Sequence, residues 1–186
     1  IREYTEDAVL CELRFIKEDG VELPSRIYLF QGLPKADKME LIIQKAVELG
    51  VYQVIPVAMK RCVVKLDDKK ASSKLTRWQG IAEAAAKQSK RGIIPQITKV
   101  MTFAQALEYS RTAQVRLVPY ELAEGMDRTR EIIEQIQPGQ DIAVFIGPEG
   151  GFDEAEIGKV IEAGTQPITL GKRILRTETA GMTVLS

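Results

Sequence analysis

Two glycine-containing loops near the C-terminal end of the sequence have the residue types of a ligand pocket. Residues 147–151 read Gly-Pro-Glu-Gly-Gly, and residues 170–176 read Leu-Gly-Lys-Arg-Ile-Leu-Arg. Each loop directly follows a predicted strand, and ligands of α/β proteins sit outside the carboxyl ends of the strands. Gly150 and Gly151 can adopt positive φ angles and let the backbone approach a flat ligand closely. One such loop is equally an ordinary strand-to-helix turn, but two on successive strands, which are usually neighbours, favour a pocket.

The ligand of these loops is narrowed by the motifs that the sequence lacks. Neither G-x-G-x-x-G nor G-x-x-x-x-G-K-[ST] occurs, which excludes the usual dinucleotide and P-loop phosphate sites. The acidic-x-Gly-x-Gly signature of the common Rossmann-like methyltransferases is also missing. Glu149 and the acidic residues at 153, 154 and 156 would repel a phosphate from the first loop. A neutral or cationic ligand therefore suits this loop better.

The sequence contains no histidine, which removes the commonest general base at neutral pH and the commonest metal ligand together. Ser-His-Asp catalysis, HExxH zinc chemistry and zinc-dependent deamination are thereby excluded. Cys11 and Cys62 have no CxxC context, so the sequence predicts neither a disulfide framework nor a zinc site. Any chemistry must use carboxylates, Lys, Arg, Tyr, backbone dipoles or a reactive cofactor.

The charges are segregated although the formal net charge is zero. Residues 60–99 carry eleven Lys and Arg against three acids, and residues 121–164 carry three against eleven. The first stretch could form a polyanion-binding face or simply a solvated face of helix and loop. No apolar stretch approaches the roughly 18 residues of a spanning helix and no signal-peptide pattern appears, so we expect a cytoplasmic protein. The chain opens on Ile1 and stops at Ser186 inside a predicted helix, so we expect it to be part of something longer.

Strands and helices alternate along the chain, which predicts an α/β domain with a parallel sheet covered by helices on both faces. An alternating stretch at 8–16, with Val9, Cys11, Leu13 and Phe15 on one side, predicts a half-buried antiparallel strand before that domain. The other predicted strands are 26–30, 51–57, 96–100, 114–118, 142–146 and 167–170. The predicted helices are one ending at Leu49, 72–89, one opened by a capping box of Thr102 and Gln105, 127–136, 153–163 and one starting near Thr177. Asp153 and Glu156 are predicted to form the capping box of helix 153–163.

The two loops carry motifs that resemble a known family almost letter for letter. Residues 145–151, Phe-Ile-Gly-Pro-Glu-Gly-Gly, and 170–180, Leu-Gly-Lys-Arg-Ile-Leu-Arg-Thr-Glu-Thr-Ala, are similar to the two cofactor motifs of the RsmE-type 16S rRNA (uracil N3) methyltransferases of the SPOUT superfamily. The resemblance covers about residues 25–186. It is supported by the segments 32–35, 38–40, 43–45, 48–51 and 61–65 and by Trp78, Glu83, Gln88 and Arg91.

This resemblance implies a SPOUT-type C-terminal trefoil knot, S-adenosyl-L-methionine as cofactor, a homodimer, and 16S rRNA of the small ribosomal subunit as partner, with no metal and no membrane. It also implies an N-terminal PUA-like β-barrel that helps to hold RNA. Residues 1–22 would be the last remnant of that barrel, and residues 23–186 the methyltransferase domain. The implied cofactor-binding residues are Gly147, Pro148, Glu149, Gly150, Gly151, Leu170, Gly171, Ile174 and Leu175.

Methylation of uridine N3 needs the imino proton to leave as the nitrogen attacks an already activated methyl group, so positioning dominates and no metal is required. Without histidine, the candidate bases are Glu149 and Glu178, and Arg176 is the candidate cation that stabilises the uracil anion. Each carboxylate also has a structural interpretation. Glu149 could brace its loop, and Glu178 could be an acid of the first helical turn, where the macrodipole favours it.

The expected RNA contacts are basic residues that grip the phosphate backbone, namely Arg61, Lys65, Arg91, Lys172 and Arg173. A cation at the C-terminus of a helix is the alternative for Arg91, and a core position is the alternative to base stacking for Trp78. Two other functions stay open from the sequence. One is a SPOUT methyltransferase that acts on the ribose 2′-oxygen, and the other is a non-catalytic RNA-binding or ribosome-assembly protein.

Overall fold

The computed structural model describes residues 1–14, 20–121, 123 and 125–186. At its start, strand β1 (Glu3–Tyr4) pairs with β2 (Val9–Leu10) in an antiparallel hairpin. The prediction of a half-buried strand over 8–16 is wrong in length and in burial, because the strand ends at Leu10 and Leu13 is 77% exposed. Phe15 lies outside the described residues. A two-stranded hairpin offers no second layer against which its apolar side could be buried.

Parallel strands form the centre of the fold. Within the described residues they are β3 (Ile27–Gly32), β4 (Gln53–Ala58), β5 (Gln96–Ile97), β6 (Met101–Thr102), β7 (Val115–Pro119), β8 (Ile142–Ile146) and β9 (Gln166–Ile168). They lie in the order β5-β4-β3-β8-β7-β9, with β6 also paired to β4. All pairings in this sheet are parallel. The predicted α/β sheet is therefore confirmed, although the predicted strand 96–100 is too long: β5 ends at Ile97, and β6 begins only at Met101.

Helices cover both faces of the sheet, as predicted. They are α1 (Lys38–Glu48), α2 (Asp68–Gln88), α3 (Phe103–Ser110), α4 (Met126–Glu134), α5 (Glu154–Glu162) and α6 (Thr177–Leu185). Alternate residues of the strands face opposite layers. Leu29 and Val144 lie in a core with the apolar sides of α1, α2, α4 and α6, whereas Phe30 and Phe145 lie in a second core with α3 and α5. The rings of Phe30 and Phe145 stack at 4.5 Å between centroids.

The helix ends follow local capping chemistry. Asp153 and Glu156 form the predicted capping box at the start of α5, and Thr102 and Gln105 form the one at α3. Helix α2 begins at Asp68, earlier than the predicted residue 72, because the Asp67 side chain accepts a hydrogen bond from the Lys70 N–H at 2.8 Å. None of the described helices has the length and apolar character to cross a membrane.

The structure decides between the two interpretations of Trp78, a core position and a platform for base stacking. Trp78 is 3% exposed and packs in the core with α1, so it is a core residue and not a base-stacking platform.

Strands β8 and β9 are not neighbours, because β7 lies between them. The expectation that the two glycine loops follow adjacent strands is therefore wrong. After β8 the chain forms α5, passes β7, and then forms β9 at the edge of the sheet.

Candidate active site

A cavity of about 610 Å³ lies at the carboxyl ends of the three neighbouring strands β8, β7 and β9. The first glycine loop continues β8, and the second continues β9, so both reach this cavity from either side of β7. Residues named from the sequence as cofactor contacts contribute to the wall at eight positions: Gly147, Pro148, Glu149, Gly151, Leu170, Gly171, Ile174 and Leu175. The carboxyl-end rule thus brings the loops together even though their strands are not adjacent.

Gly150 is placed differently from the other glycines of the first loop. Gly151 has the expected positive φ of 67° and lies at the cavity wall, whereas Gly150 has no positive φ and is not part of the wall. The Gly150 carbonyl accepts a hydrogen bond from Arg61 Nη1 at 3.1 Å. A Cβ atom on Gly150 would lie 3.3 Å from the Cβ of Arg61. A larger side chain here would thus press on Arg61 before it reached the cavity.

The first loop approaches the end of β3 so closely that a glycine is required there. A Cβ atom on Gly32 would lie 2.7 Å from the Pro148 nitrogen and 2.8 Å from its Cδ atom. The backbone of Pro148 could not stay in place beside any larger residue. Gly32 belongs to a segment that resembles the family, but the sequence assigned it no role.

A buried hydrogen-bond chain ties this loop to the start of α6. The side-chain amide of Gln31, which is 0% exposed, donates to the Thr177 hydroxyl at 2.9 Å. The Thr177 hydroxyl in turn donates to the Gly147 carbonyl at 2.6 Å. Because the Thr177 oxygen accepts a hydrogen bond from the Gln31 amide, the hydroxyl proton of Thr177 points toward the Gly147 carbonyl. Two residues that the sequence did not single out thereby fix the geometry of the first loop.

Glu149, one of the two candidate bases, is engaged by two donors. Its Oε1 atom accepts a hydrogen bond from the Lys35 N–H at 3.0 Å and lies 3.2 Å from Lys38 Nζ. Partial burial raises the pKa of Glu149, but the Lys35 N–H and the nearby Lys38 ammonium outweigh this effect and leave the pKa below its usual value. These contacts support the structural interpretation of Glu149, since a carboxylate with a lowered pKa is a weaker base.

Glu178, the other candidate base, is not part of the cavity wall. Its side chain is 16% exposed, and its Oε2 atom lies 3.5 Å from Lys38 Nζ. Lys38 itself lines the cavity, so the lysine reaches both carboxylates from the start of α1. No function could be predicted for Lys38, because its contacts with two acids that are distant in sequence depend on how α1 packs beside α6.

The structure places the exposed members of the predicted RNA-binding set at two different cavities. Arg61, Lys172 and Arg173 are exposed and line the cavity, and so does Arg176, the predicted catalytic cation. Lys65 is exposed beside a second cavity of about 500 Å³.

Arg91 requires a correction, because its side chain is only 4% exposed. Its Nε atom donates to Glu22 at 3.1 Å, and its Nη1 atom donates to the carbonyls of Val47 and Val51. Arg91 therefore joins the segment before β3 to the end of α1, and it is not available to RNA. Its partner Glu22 lies 69 positions away, which sequence spacing could not reveal.

Further wall residues come from a segment without any glycine signature. The cavity is also lined by the end of β7 and the two residues after it, namely Pro119, Tyr120 and Glu121. The sequence predicted the strand before them, so the same carboxyl-end rule could have found them. Among the residues that the structure describes, no three His, Cys, Asp or Glu side chains are grouped as a metal site.

Known proteins match this chain over most of its length. The family model of the RNA methyltransferase domain matches residues 21–186. Ribosomal RNA small subunit methyltransferase E of Bacillus subtilis is 40% identical over 95% of this chain and 75% of its own length. Its counterpart in Mesomycoplasma hyopneumoniae is 37% identical over 89% of this chain and 70% of its own length.

A solved structure agrees with these relatives. The ribosomal RNA small subunit methyltransferase E of Neisseria gonorrhoeae, bound to S-adenosyl methionine, superposes with a TM-score of 0.80. It is 36% identical, and the match covers 91% of this chain and 68% of that one. The resemblance carried by the two loop motifs is therefore confirmed, and the chain belongs to the RNA methyltransferase family of the ribosomal RNA small subunit methyltransferase E type.

Proposed function

We propose that this protein transfers a methyl group from S-adenosyl-L-methionine to N3 of a specific uridine in the 16S rRNA of the small ribosomal subunit. The single observation that carries the proposal is the cavity at the carboxyl ends of β8, β7 and β9, whose wall contains both family loops. Relatives of the same family are ribosomal RNA small subunit methyltransferases, and one is bound to S-adenosyl methionine.

The residues at the cavity fit this cofactor in size and in charge. A volume of about 610 Å³ lies within the usual range of small-molecule pockets. Ile146, Leu170 and Leu175 give the wall an apolar part suited to a flat base. Glu121, Glu149 and Glu154 add carboxylates beside it, which suit a cationic sulfonium and ammonium. When bound, the cofactor supplies an activated methyl group.

The chain's own residues would orient the two reactants. We assign cofactor contacts to the two loops, including Gly147, Pro148 and Gly151 of the first and Leu170, Gly171, Ile174 and Leu175 of the second. The exposed cations Arg61, Lys172 and Arg173 line the cavity and would hold the RNA backbone, which makes RNA binding dependent on salt. An unstacked uridine could then enter beside the cofactor.

Several finer features are also part of the proposal. We assign residues 23–186 to a SPOUT methyltransferase domain with a trefoil knot, and residues 1–22 to the remnant of a PUA-like RNA-binding domain. A homodimer and a cytoplasmic location complete it. Light scattering tests the dimer, since a monomer at micromolar concentration would contradict it.

The proposal is tested by incubating the protein with labelled S-adenosyl-L-methionine and either 30S subunits or naked 16S rRNA. Mass mapping of nuclease fragments then locates the added methyl group. We expect one methylated uridine, modified on the base. Calorimetry on the same preparation measures cofactor binding without RNA.

Each other outcome favours a different function. A methyl group on the ribose would establish the 2′-O-methyltransferase alternative. Absence of cofactor binding by folded protein would leave the non-catalytic RNA-binding alternative. The comparison of 30S subunits with naked rRNA shows which state of the RNA is the substrate.

A further inference from the structure

We infer that Lys38 is a catalytic residue that binds a carbonyl oxygen of the target uracil and neutralises the negative charge of the ring as N3 loses its proton. This inference rests on the proposed function, whose cation was assigned from the sequence to Arg176.

Lys38 is the first residue of α1 and lines the same cavity as the two loops. Its ammonium lies 3.2 Å from Glu149 Oε1 and 3.5 Å from Glu178 Oε2. The first carboxylate belongs to the loop after β8, and the second belongs to the first turn of α6. Lys38 is therefore fixed from both sides at the point where the first loop meets α6.

The two carboxylates differ in their exposure to the cavity. Glu149 lines the cavity wall, as Lys38 does, whereas Glu178 is not part of the wall and its Oε2 atom is buried. Among the described residues, Lys38 is the sole ion-pair partner of Glu178, and their contact lacks hydrogen-bond geometry. A lysine ammonium has three N–H donors. At least one donor is thus left for a ligand in the cavity.

Lys38 is a better placed cation than Arg176. The Arg176 side chain is exposed, and it forms no ion pair with any described residue, so binding would have to immobilise it. Lys38 has a 30% exposed side chain that two anions already hold. A charge that is oriented before the reaction stabilises a developing anion without further reorganisation. Glu178 is then a positioning residue, because it acts through the lysine.

The chemical step balances with these groups. The N3–H bond of uracil breaks, and the proton passes to water. The negative charge spreads over N3 and the two carbonyl oxygens, one of which accepts a hydrogen bond from Lys38. The N3 electron pair forms a bond to the methyl carbon as the carbon–sulfur bond breaks. The electron pair of the broken carbon–sulfur bond stays on sulfur. The ring ends neutral and methylated.

The expected effect of Lys38 on the pKa of uracil N3 follows from the short distance between the ammonium and the ionised ring. A cation within hydrogen-bond reach lowers the pKa of an acid by about 1–3 units. At neutral pH, Lys38 would therefore raise the fraction of ionised uracil by about 10- to 1000-fold. Without the lysine, the same fraction would be reached only at a pH about 1–3 units higher.

The test is the pH profile of single-turnover methyl transfer by the Lys38→Met variant. We expect a rate loss of about 10- to 1000-fold at pH 7, an alkaline shift of the profile, and recovery at high pH. Lys38→Arg retains the charge and should recover most of the rate. Lys45→Met is the matched control, since it removes a lysine of the same helix that, within the part of the chain that the structure describes, pairs only with the exposed Glu48.

Because Lys38→Met leaves Glu178 buried without a cation, the double variant Lys38→Met/Glu178→Gln is measured as well, with unfolding curves for each protein. An unshifted pH profile in a folded variant would overturn the inference. So would a loss confined to cofactor affinity, because it would place Lys38 on the cofactor instead of the uracil. If the wild-type protein neither binds the cofactor nor methylates N3, it is the proposed function itself that fails.

Discussion

Glu22 is expected to stabilise the fold through Arg91, although the two residues lie 69 positions apart. The Glu22 carboxylate accepts hydrogen bonds from Arg91 Nε and Nη2 and from the N–H groups of Gly92 and Ile93. The perturbation is Glu22→Ala. Among the described residues, this leaves the Arg91 guanidinium, whose side chain is 4% exposed, with the carbonyls of Val47 and Val51 as its remaining partners.

The expected loss in the free energy of unfolding of Glu22→Ala lies between two limits. Breaking a fully buried ion pair costs about 3–5 kcal/mol, and an exposed pair contributes about 0–1 kcal/mol. Because the Glu22 side chain is 27% exposed, water can replace part of the lost carboxylate. We therefore expect a loss of about 2 kcal/mol in the free energy of unfolding, between the two limits. For a domain of this size, that corresponds to a fall in Tm of about 4–8 °C.

The assay is urea unfolding at pH 7 and at a series of lower pH values at which the wild type stays folded. Partial burial raises the pKa of Glu22, but Arg91 and the two backbone N–H groups outweigh it, so its folded-state pKa lies below the ordinary 4.5. A lowered carboxyl pKa contributes stability above the unfolded-state pKa and loses it as pH falls through the folded-state value. The difference between wild type and variant should therefore be full at pH 7 and shrink in acid.

The matched control is Glu108→Ala, which removes the exposed partner of Arg111 on α3. It should change the free energy of unfolding by less than about 0.5 kcal/mol. The reasoning would be refuted if Glu22→Ala behaved like this control, or if its destabilisation persisted undiminished at the lowest pH.

Three further predictions concern the cavity. Gly32→Ala should displace the backbone at Pro148 and weaken cofactor binding at least tenfold by calorimetry, a loss of about 1.4 kcal/mol in binding free energy; unchanged affinity would contradict the close contact. Thr177→Val leaves the Gly147 carbonyl without its buried donor and should cost about 1–3 kcal/mol in unfolding, whereas Thr177→Ser should behave like wild type. Arg173→Ala should weaken RNA binding and reduce the salt slope by about 1 without changing cofactor affinity, and an unchanged slope in filter binding would remove it from the RNA interface.

The elements of the sheet could be predicted from the sequence because buried parallel strands are continuous apolar runs. Residues 142–146 are the clearest example, since the predicted and observed bounds of β8 coincide. Capping residues gave the start of α5 in the same way, through Asp153 and Glu156. Strand order could not be derived, because the crossover of the chain past β7 leaves no mark in hydrophobic periodicity.

The candidate site was predictable to the extent that it depends on backbone motifs. Both loops end strands and carry glycines, which are local properties of the sequence. Charged contacts are not local. Lys38 meets Glu178 through helix packing, and Arg91 meets Glu22 through the path of the chain before β3. The sequence therefore identified the cavity but assigned one buried cation to RNA and gave no role to another at the wall.

The hydrogen bond between Gln31 and Thr177 joins residues 146 positions apart. A loop of this length must close before the contact contributes any free energy. Within the described residues, the Gly147 carbonyl is held by a hydroxyl from this end of the chain. The first loop should therefore reach its binding geometry during refolding only when both ends of the chain have met, and ligand affinity should recover no earlier than this closure.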